Sequence, residues 1–199
     1  MREIAPGLFH WTAFHEPIGA RVSSYYVAPA GIVVDPKVPE DGFEALPAEP
    51  QQVVLTSGHH GRDAQRFADA FGIPIRALHE ADERFAGALA IEPFADGDEV
   101  VTGVTAIHVG AICDDEGALH IAVGAGALAF ADGLVSSRGA VGFVPDRLLG
   151  DDPEGVKAGL REAYRRLLDR DFDHLLFAHG DPLVGGGKAA LRDFVSKGE

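Results

Sequence analysis

The sequence is short of several things, and each shortage excludes a class of protein. A single cysteine, Cys113, among 199 residues rules out an intrachain disulfide framework and any thiolate-rich zinc site. Basic residues number 17 against 31 acidic ones, a formal net charge of −14, which argues against nucleic acid or an anionic membrane surface as partner. No apolar run approaches the ~20 residues of a membrane span. The longest, residues 121–131, is interrupted by Gly124 and Gly126. The first ten residues lack a basic segment followed by a long apolar one, so they do not read as a signal peptide, and a cytoplasmic location is expected.

What remains is a globular composition. Hydrophobic residues make up 46% of the chain and mean hydropathy is +0.05, which is too apolar for disorder. One domain spanning residues 1–199 is the expectation at this length. With 9 histidines and 31 acids to choose from, any bound metal would be held by imidazole and carboxylate.

Short β-branched and aromatic runs punctuated by Gly and Pro predict strands at 8–14, 22–28, 32–35 and 53–56. Phe67, Ala68, Ala70 and Phe71 share one helical face, and Gly72 follows where a left-handed cap belongs. A strand at 73–78, a short helix at 80–85 and further strands at 99–101, 105–109, 118–123 and 127–131 come next. Asp152-Pro153-Glu154 then supplies an N-cap, a proline at the first helical position and an acid in the first turn. Val156, Leu160, Ala163, Tyr164, Leu167 and Leu168 recur behind it at intervals of three and four. A strand at 174–178 and a helix around Leu191, Phe194 and Val195 close the chain. This order predicts two packed sheets with helices outside.

Several motifs fall in a recognisable order. Gly31-Ile-Val-Val-Asp35 ends one strand, and Thr56-Ser-Gly-His59-His60-Gly-Arg62-Asp63 leads from another strand into a helix. Ala129-Phe-Ala-Asp132-Gly and Ala178-His179-Gly180-Asp-Pro follow later strands. Together these segments resemble the metallo-β-lactamase superfamily over nearly the whole chain. The resemblance implies an α+β fold, the αββα four-layer sandwich, with a metal site at one edge of the two sheets. It also implies metal-ligating roles for His59, with His60 adjacent, Asp132 and His179, a supporting role for Asp35, and a catalytic role for Asp63.

The metal motif is degraded. The family's Thr-His-x-His-x-Asp-His stretch aligns in either of two registers, and neither keeps more than two of its four ligands. Aligned on Thr56, the signature finds Ser57, His59, Gly61 and Arg62. Slid by two residues, it keeps His59 and Asp63. The family's Gly-His turn is replaced by Gly110-Ala111. Two closely spaced cations are therefore not expected. One divalent metal (zinc, or iron or manganese) remains chemically sound on two imidazoles and a carboxylate, and so does no metal at all.

Bland readings stand beside these. Asp63 is also a good helix N-cap, Arg62 is as well explained by a surface arginine as by an anion or oxyanion contact, and Cys113-Asp114-Asp115-Glu116 reads as a solvated acidic loop more readily than as substitute ligands. Gly185-Gly186-Gly187-Lys188 lacks the rest of a phosphate-binding loop. Two functions compete. One is a mononuclear metal-dependent hydrolase of a small ester, thioester, lactone or amide. The other is a non-catalytic protein of the same fold that binds a small-molecule ligand or a partner.

Overall fold

The structure, a computed structural model, describes residues 1–197. Fifteen strands and four α-helices are found among them. The first sheet runs in chain order: β1 (Arg2–Ala5), β2 (Leu8–His15), β3 (Ala20–Val27), β4 (Ile32–Val34), β5 (Gln52–Val54), β6 (Ile75–Leu78) and β7 (Ile91–Phe94). Its first four strands pair antiparallel, and β4 to β7 pair parallel. The second sheet is built from β8 (Glu99–Val101), β9 (Val104–His108), β10 (Gly117–Ile121) and β11 (Ala127–Phe130). β14 (His174–Phe177) pairs parallel to β11, and β15 (Leu183–Val184) flanks it antiparallel. A separate hairpin, β12 (Val135–Ser137) and β13 (Ala140–Gly142), lies outside both sheets.

The central strands are buried on both faces, because successive side chains point to opposite sides of a sheet. Tyr25, Val27, Ile32, Val34 and Val54 meet Leu119, Ile121, Ala127, Ala129 and Leu176 in a core between the two sheets. The alternate residues Tyr26, Val33, Val53 and Leu55 pack outward on α1 (Ala64–Phe71), through Ala64 and Phe67, and on Phe85 of α2 (Asp82–Phe85). On the other side, Leu128, Phe130, Leu175 and Phe177 face α3 (Pro153–Arg166) and α4 (Gly187–Ser196), through Leu160, Ala163, Tyr164, Leu191 and Val195. The layer order is helix, sheet, sheet, helix. This is the expected αββα sandwich, and it follows from strands whose two faces each need an apolar partner.

The ends of the helices obey local chemistry. Asp152 accepts the Gly155 N–H at 3.0 Å, as an N-cap should, and Pro153 opens α3. Gly72 ends α1 with φ 64°, the left-handed cap conformation. No helix among the described residues is long and apolar enough to cross a membrane.

Candidate metal centre

Four segments leave the carboxyl ends of parallel strands on one edge of the sandwich. Asp35 follows β4 directly, Thr56 to His60 follow β5, Asp132 follows β11, and His179 follows β14. Open α/β sheets place ligand sites at the carboxyl ends of their parallel strands for the same geometric reason: the chain must leave the sheet there and expose backbone and side chains. Here the edges of two sheets do this together. They are stitched beside the site by Tyr25, whose hydroxyl donates to Phe177 O at 2.8 Å and accepts the Phe177 N–H at 3.0 Å. Ser23 adds a backbone bond to Ala178 O and a hydroxyl bond to Gly180 O, each 2.9 Å.

His60 sits at the centre. A 3-10 turn over Gly58–His60, started by the Ser57 hydroxyl accepting the His59 N–H, turns His60 inward until it is 3% exposed. Its Nδ1 lies 2.9 Å from Asp35 Oδ2, and its Nε2 lies 3.2 Å from Asp132 Oδ1. His179 Nε2 approaches the same Asp132 oxygen at 3.0 Å. Asp35 is itself fixed by the Thr56 N–H at 2.8 Å and the Thr56 hydroxyl at 2.5 Å.

Two protonation patterns fit this geometry. With both ring nitrogens of His60 facing carboxylates, both carry protons in the absence of a cation, and the ring is an imidazolium. Burial is the largest single influence and would lower its pKa, as would Arg62, but the Asp35 charge and the hydrogen bonds to Asp132 and Asp35 together outweigh them and raise it to about 9. Burial would likewise raise the Asp132 pKa, yet hydrogen bonds from His179 and His60 hold it well below the usual carboxylate range. Asp35 is also lowered, because His60, Arg62 and Thr56 together outweigh its burial.

The alternative pattern exchanges the Nε2 proton for a metal. His60 Nε2, Asp132 Oδ1 and His179 Nε2 converge as a two-imidazole, one-carboxylate donor set within 4.8 Å of one another. A tetrahedral ion with bonds of ~2.0–2.1 Å sets its ligand atoms ~3.3 Å apart, close to the 3.2 and 3.0 Å found here. Asp35 on Nδ1 supplies the outer carboxylate that ordinarily fixes the tautomer of a metal-ligating histidine. The residues present fit one cation.

The remaining predicted residues fall elsewhere. His59 lines the same cleft, but its ring belongs to a different cluster with Cys113 and Asp115. Asp115 is already clasped there by Arg84 Nε and, at 3.3 Å, Nη2. Burial and the Asp115 carboxylate push the Cys113 thiol pKa up, so a thiolate is disfavoured. Asp63, expected in a catalytic role, is turned away: its carboxylate accepts the Val38 N–H at 2.8 Å and Lys37 Nζ at 3.3 Å, and it does not line the cleft. Nor does its side chain cap α1. It holds the loop after β4. Arg62 does line the cleft, with Nη1 donating to Ser23 O and Asp35 O, both at 2.7 Å. Ala111, at the vacated histidine position, packs toward α3 beside Gly159.

The acidic loop is not solvated as its composition suggests. Asp115 and Glu116 are 2% and 1% exposed. Glu116 accepts the Gly133 N–H at 2.7 Å and the Ile112 N–H at 3.1 Å, and so pins the turn that carries Asp132. Burial raises its pKa to about 7, against the lowering effect of those two bonds. Nothing in the run Asp114-Asp115-Glu116 marks the last two acids as buried; only their long-range contacts, Asp115 with Arg84 and Glu116 with Gly133, do.

The turn carrying His179 is equally constrained. Gly180 has φ 97°, and a Cβ there would overlap the Ser136 carbonyl, next to the Ser136 N–H bond to His179 O at 3.0 Å. Gly180→Ala is expected to cost about 2–4 kcal/mol in chemical denaturation and to displace His179. A loss below about 1 kcal/mol would contradict this packing.

No family model matches the sequence, and no curated protein does. Solved structures do. A metallo-β-lactamase from Erythrobacter litoralis, crystallised with β-mercaptoethanol in its active site, superposes with a TM-score of 0.69 at 15% identity, over 98% of this chain and 95% of that one. A metallo-β-lactamase family protein from Thermus thermophilus gives 0.63 at 16% identity, over 98% and 80%. A protein solved in a di-iron-bound form gives 0.65 at 20% identity, over 90% and 96%. At such identities the likeness speaks for architecture alone. Two sheets between helix layers, with polar loops gathered at their shared carboxyl edge, give this chain the metallo-β-lactamase fold.

Proposed function

We propose that the protein is a mononuclear metal-dependent hydrolase of a small ester, thioester, lactone or amide, its cation held by His60, Asp132 and His179. The observation that supports this most is the convergence of two imidazole nitrogens on one carboxylate oxygen, with Asp35 behind His60. Zinc suits these donors, as do iron and manganese. Such a cation supplies Lewis acidity and lowers the pKa of a bound water toward neutrality.

The chain's own residues have separate tasks. Asp35 fixes the orientation of His60, and Glu116 fixes the turn of Asp132. Asp132 remains ionised at neutral pH and therefore acts as a ligand, not as a proton acceptor. With Asp63 outside the cleft, the imidazoles on the cleft wall besides the candidate ligands are those of His59 and His15. The Arg62 guanidinium contributes a fixed positive charge where an oxyanion develops.

Protein purified without added metal and analysed by plasma emission is expected to contain, or to take up on zinc, manganese or iron addition, about one equivalent. Asp132→Asn should abolish that uptake. Less than about a tenth of an equivalent after reconstitution would overturn the proposal. It would favour the second reading, a non-catalytic binding protein. One observation supports that reading: the His60 imidazolium between Asp35 and Asp132, together with the nearby Arg62 guanidinium, offsets both carboxylate charges with no metal present.

A further inference from the structure

A second pocket opens at the edge of the sandwich opposite the candidate metal centre. It lies between the β1–β2 turn and the β10–β11 turn, has a volume of about 220 Å³, and shares no lining residue with the metal cleft. Ala127 and His174, paired at the start of β11 and β14, line it, whereas Asp132 and His179 follow the other ends of the same two strands.

The floor of the pocket belongs to the core between the sheets. Leu8, Val27, Ile121 and Ala127 form it, each at most 4% exposed. Pro6, Gly124 and Ala125 are exposed and ring the mouth. Small residues leave the gap: a Cβ on Gly124 would meet nothing within 4 Å, and the alanines stop at one carbon. Protein interiors are otherwise packed to the density of organic crystals, and a void of this size forfeits dispersion contacts on every wall.

One polar side chain faces this apolar space. His174 is 8% exposed, and the Gly185 N–H donates to its Nδ1 at 3.0 Å. The neutral ring therefore carries its proton on Nε2. That N–H finds no acceptor among the described residues, yet, unlike Arg62 Nη2, it is not shut off from a molecule the size of water. No charged side chain lines the pocket.

These walls define a ligand. An apolar cavity of about 150 Å³ accepts benzene, so this one suits a compact molecule of roughly six to nine heavy atoms. An ion would lose its water here and meet no opposite charge. A single oxygen acceptor would satisfy Nε2, and apolar walls with few placed polar groups are the usual make-up of a small-molecule site.

We propose that this pocket binds a small uncharged molecule, an apolar body carrying one carbonyl or hydroxyl oxygen, with His174 Nε2 donating to that oxygen. The site does not depend on whether the opposite edge holds a metal.

The test titrates the full chain with cyclohexanone and with methylenecyclohexane, the same shape with a CH2 group in place of the oxygen. Methyl resonances of Leu8, Val27 and Ile121 should shift saturably with both, with dissociation constants near the millimolar range. The His174 Nε2 resonance should move with cyclohexanone and stay in place with the hydrocarbon. In His174→Asn, whose side-chain oxygen can still accept the Gly185 N–H, cyclohexanone should lose at least about fivefold more affinity than methylenecyclohexane. Comparing the two losses cancels their different costs of leaving water. Ala125→Phe, at the exposed mouth, should abolish both responses. Unmoved methyl resonances with both compounds would show that the pocket holds water only and overturn the site. So would shifts that centre on His60 and His179, because the compound then sits in the metal cleft. Equal losses in His174→Asn overturn the role of His174. If that variant fails to fold, an Nε2 resonance unmoved by cyclohexanone in the unaltered protein does the same.

Discussion

His60→Ala is expected to lower the unfolding free energy of the metal-free protein by about 3–5 kcal/mol, the largest effect of any single side-chain truncation at the site. The imidazole is 3% exposed and lies between two carboxylates, of which Asp35 is itself 3% exposed. Removing it leaves the Asp35 charge buried with only Thr56 close by and the Arg62 guanidinium engaged through backbone carbonyls. An uncompensated buried charge is what makes breaking such a pair expensive, irrespective of how little the intact pair contributes. The double variant separates this from simple loss of packing. In an Asp35→Asn background the same truncation should cost less by about 1–3 kcal/mol, since no charge is stranded. Urea denaturation of the four proteins measures the cycle. Additive losses would show that His60 acts through volume alone. The same variant should bind no metal, because Asp132 and His179 cannot hold one by themselves.

Much of this was legible in the sequence, for physical reasons that differ from element to element. Strands buried on both faces announce themselves as continuous apolar runs, and β3 to β5, β10, β11 and β14 all fall where such runs predicted strands. The edge strands β1 and β7 did not. β1 is largely exposed, and β7 contains Pro93 and two exposed residues in the middle, so neither shows an apolar pattern. The β12–β13 hairpin turns through Arg138 and Gly139, both at positive φ, where Asn-Gly would have been the readable signal.

At the site, order along the chain identified the loops but not the side chains within them. His59 and His60 are neighbours in sequence, and the two alignment registers favoured His59. A one-turn 3-10 helix sends the adjacent rings in different directions, and the inward one is His60. Asp63 has the residue type for a ligand but is claimed by Val38 and Lys37, a contact 25 residues away in the chain. Arg62, equally readable as a surface residue, turns into the cleft. Glu116 is the converse case, an acid in an acidic run that folding buries. Each of these outcomes depends on a long-range partner, which periodicity and spacing do not encode.

The second large effect is a dependence of stability and metal affinity on pH, with His60 as its source. Its pKa in the metal-free folded protein, about 9, lies above the ordinary 6.5. A raised basic group contributes stability that is fully present below pH 6.5 and is lost as pH rises toward 9. The difference amounts to about 3 kcal/mol. Glu116, raised from 4.5 to about 7 by burial, adds a loss of the same sign between those values. Asp35 and Asp132 act oppositely: both are lowered, so their contribution is present above pH 3.8 and lost as the pH falls further. The metal-free protein should therefore be most stable on the acid side of neutrality and weaken through pH 6.5–9. Zinc changes this, because the cation takes the place of the His60 Nε2 proton. Apparent zinc affinity should rise about tenfold per pH unit toward pH 9 and then level off. Zinc-saturated protein should accordingly keep its stability through the range where the metal-free form loses it. Calorimetric titration in two buffers of different ionisation enthalpy counts the proton directly, and about one should be released per zinc bound at pH 7.5. Zinc binding without proton release would mean that His60 is neutral before the metal arrives, and that Asp35 and Asp132 share the site with an uncharged ring.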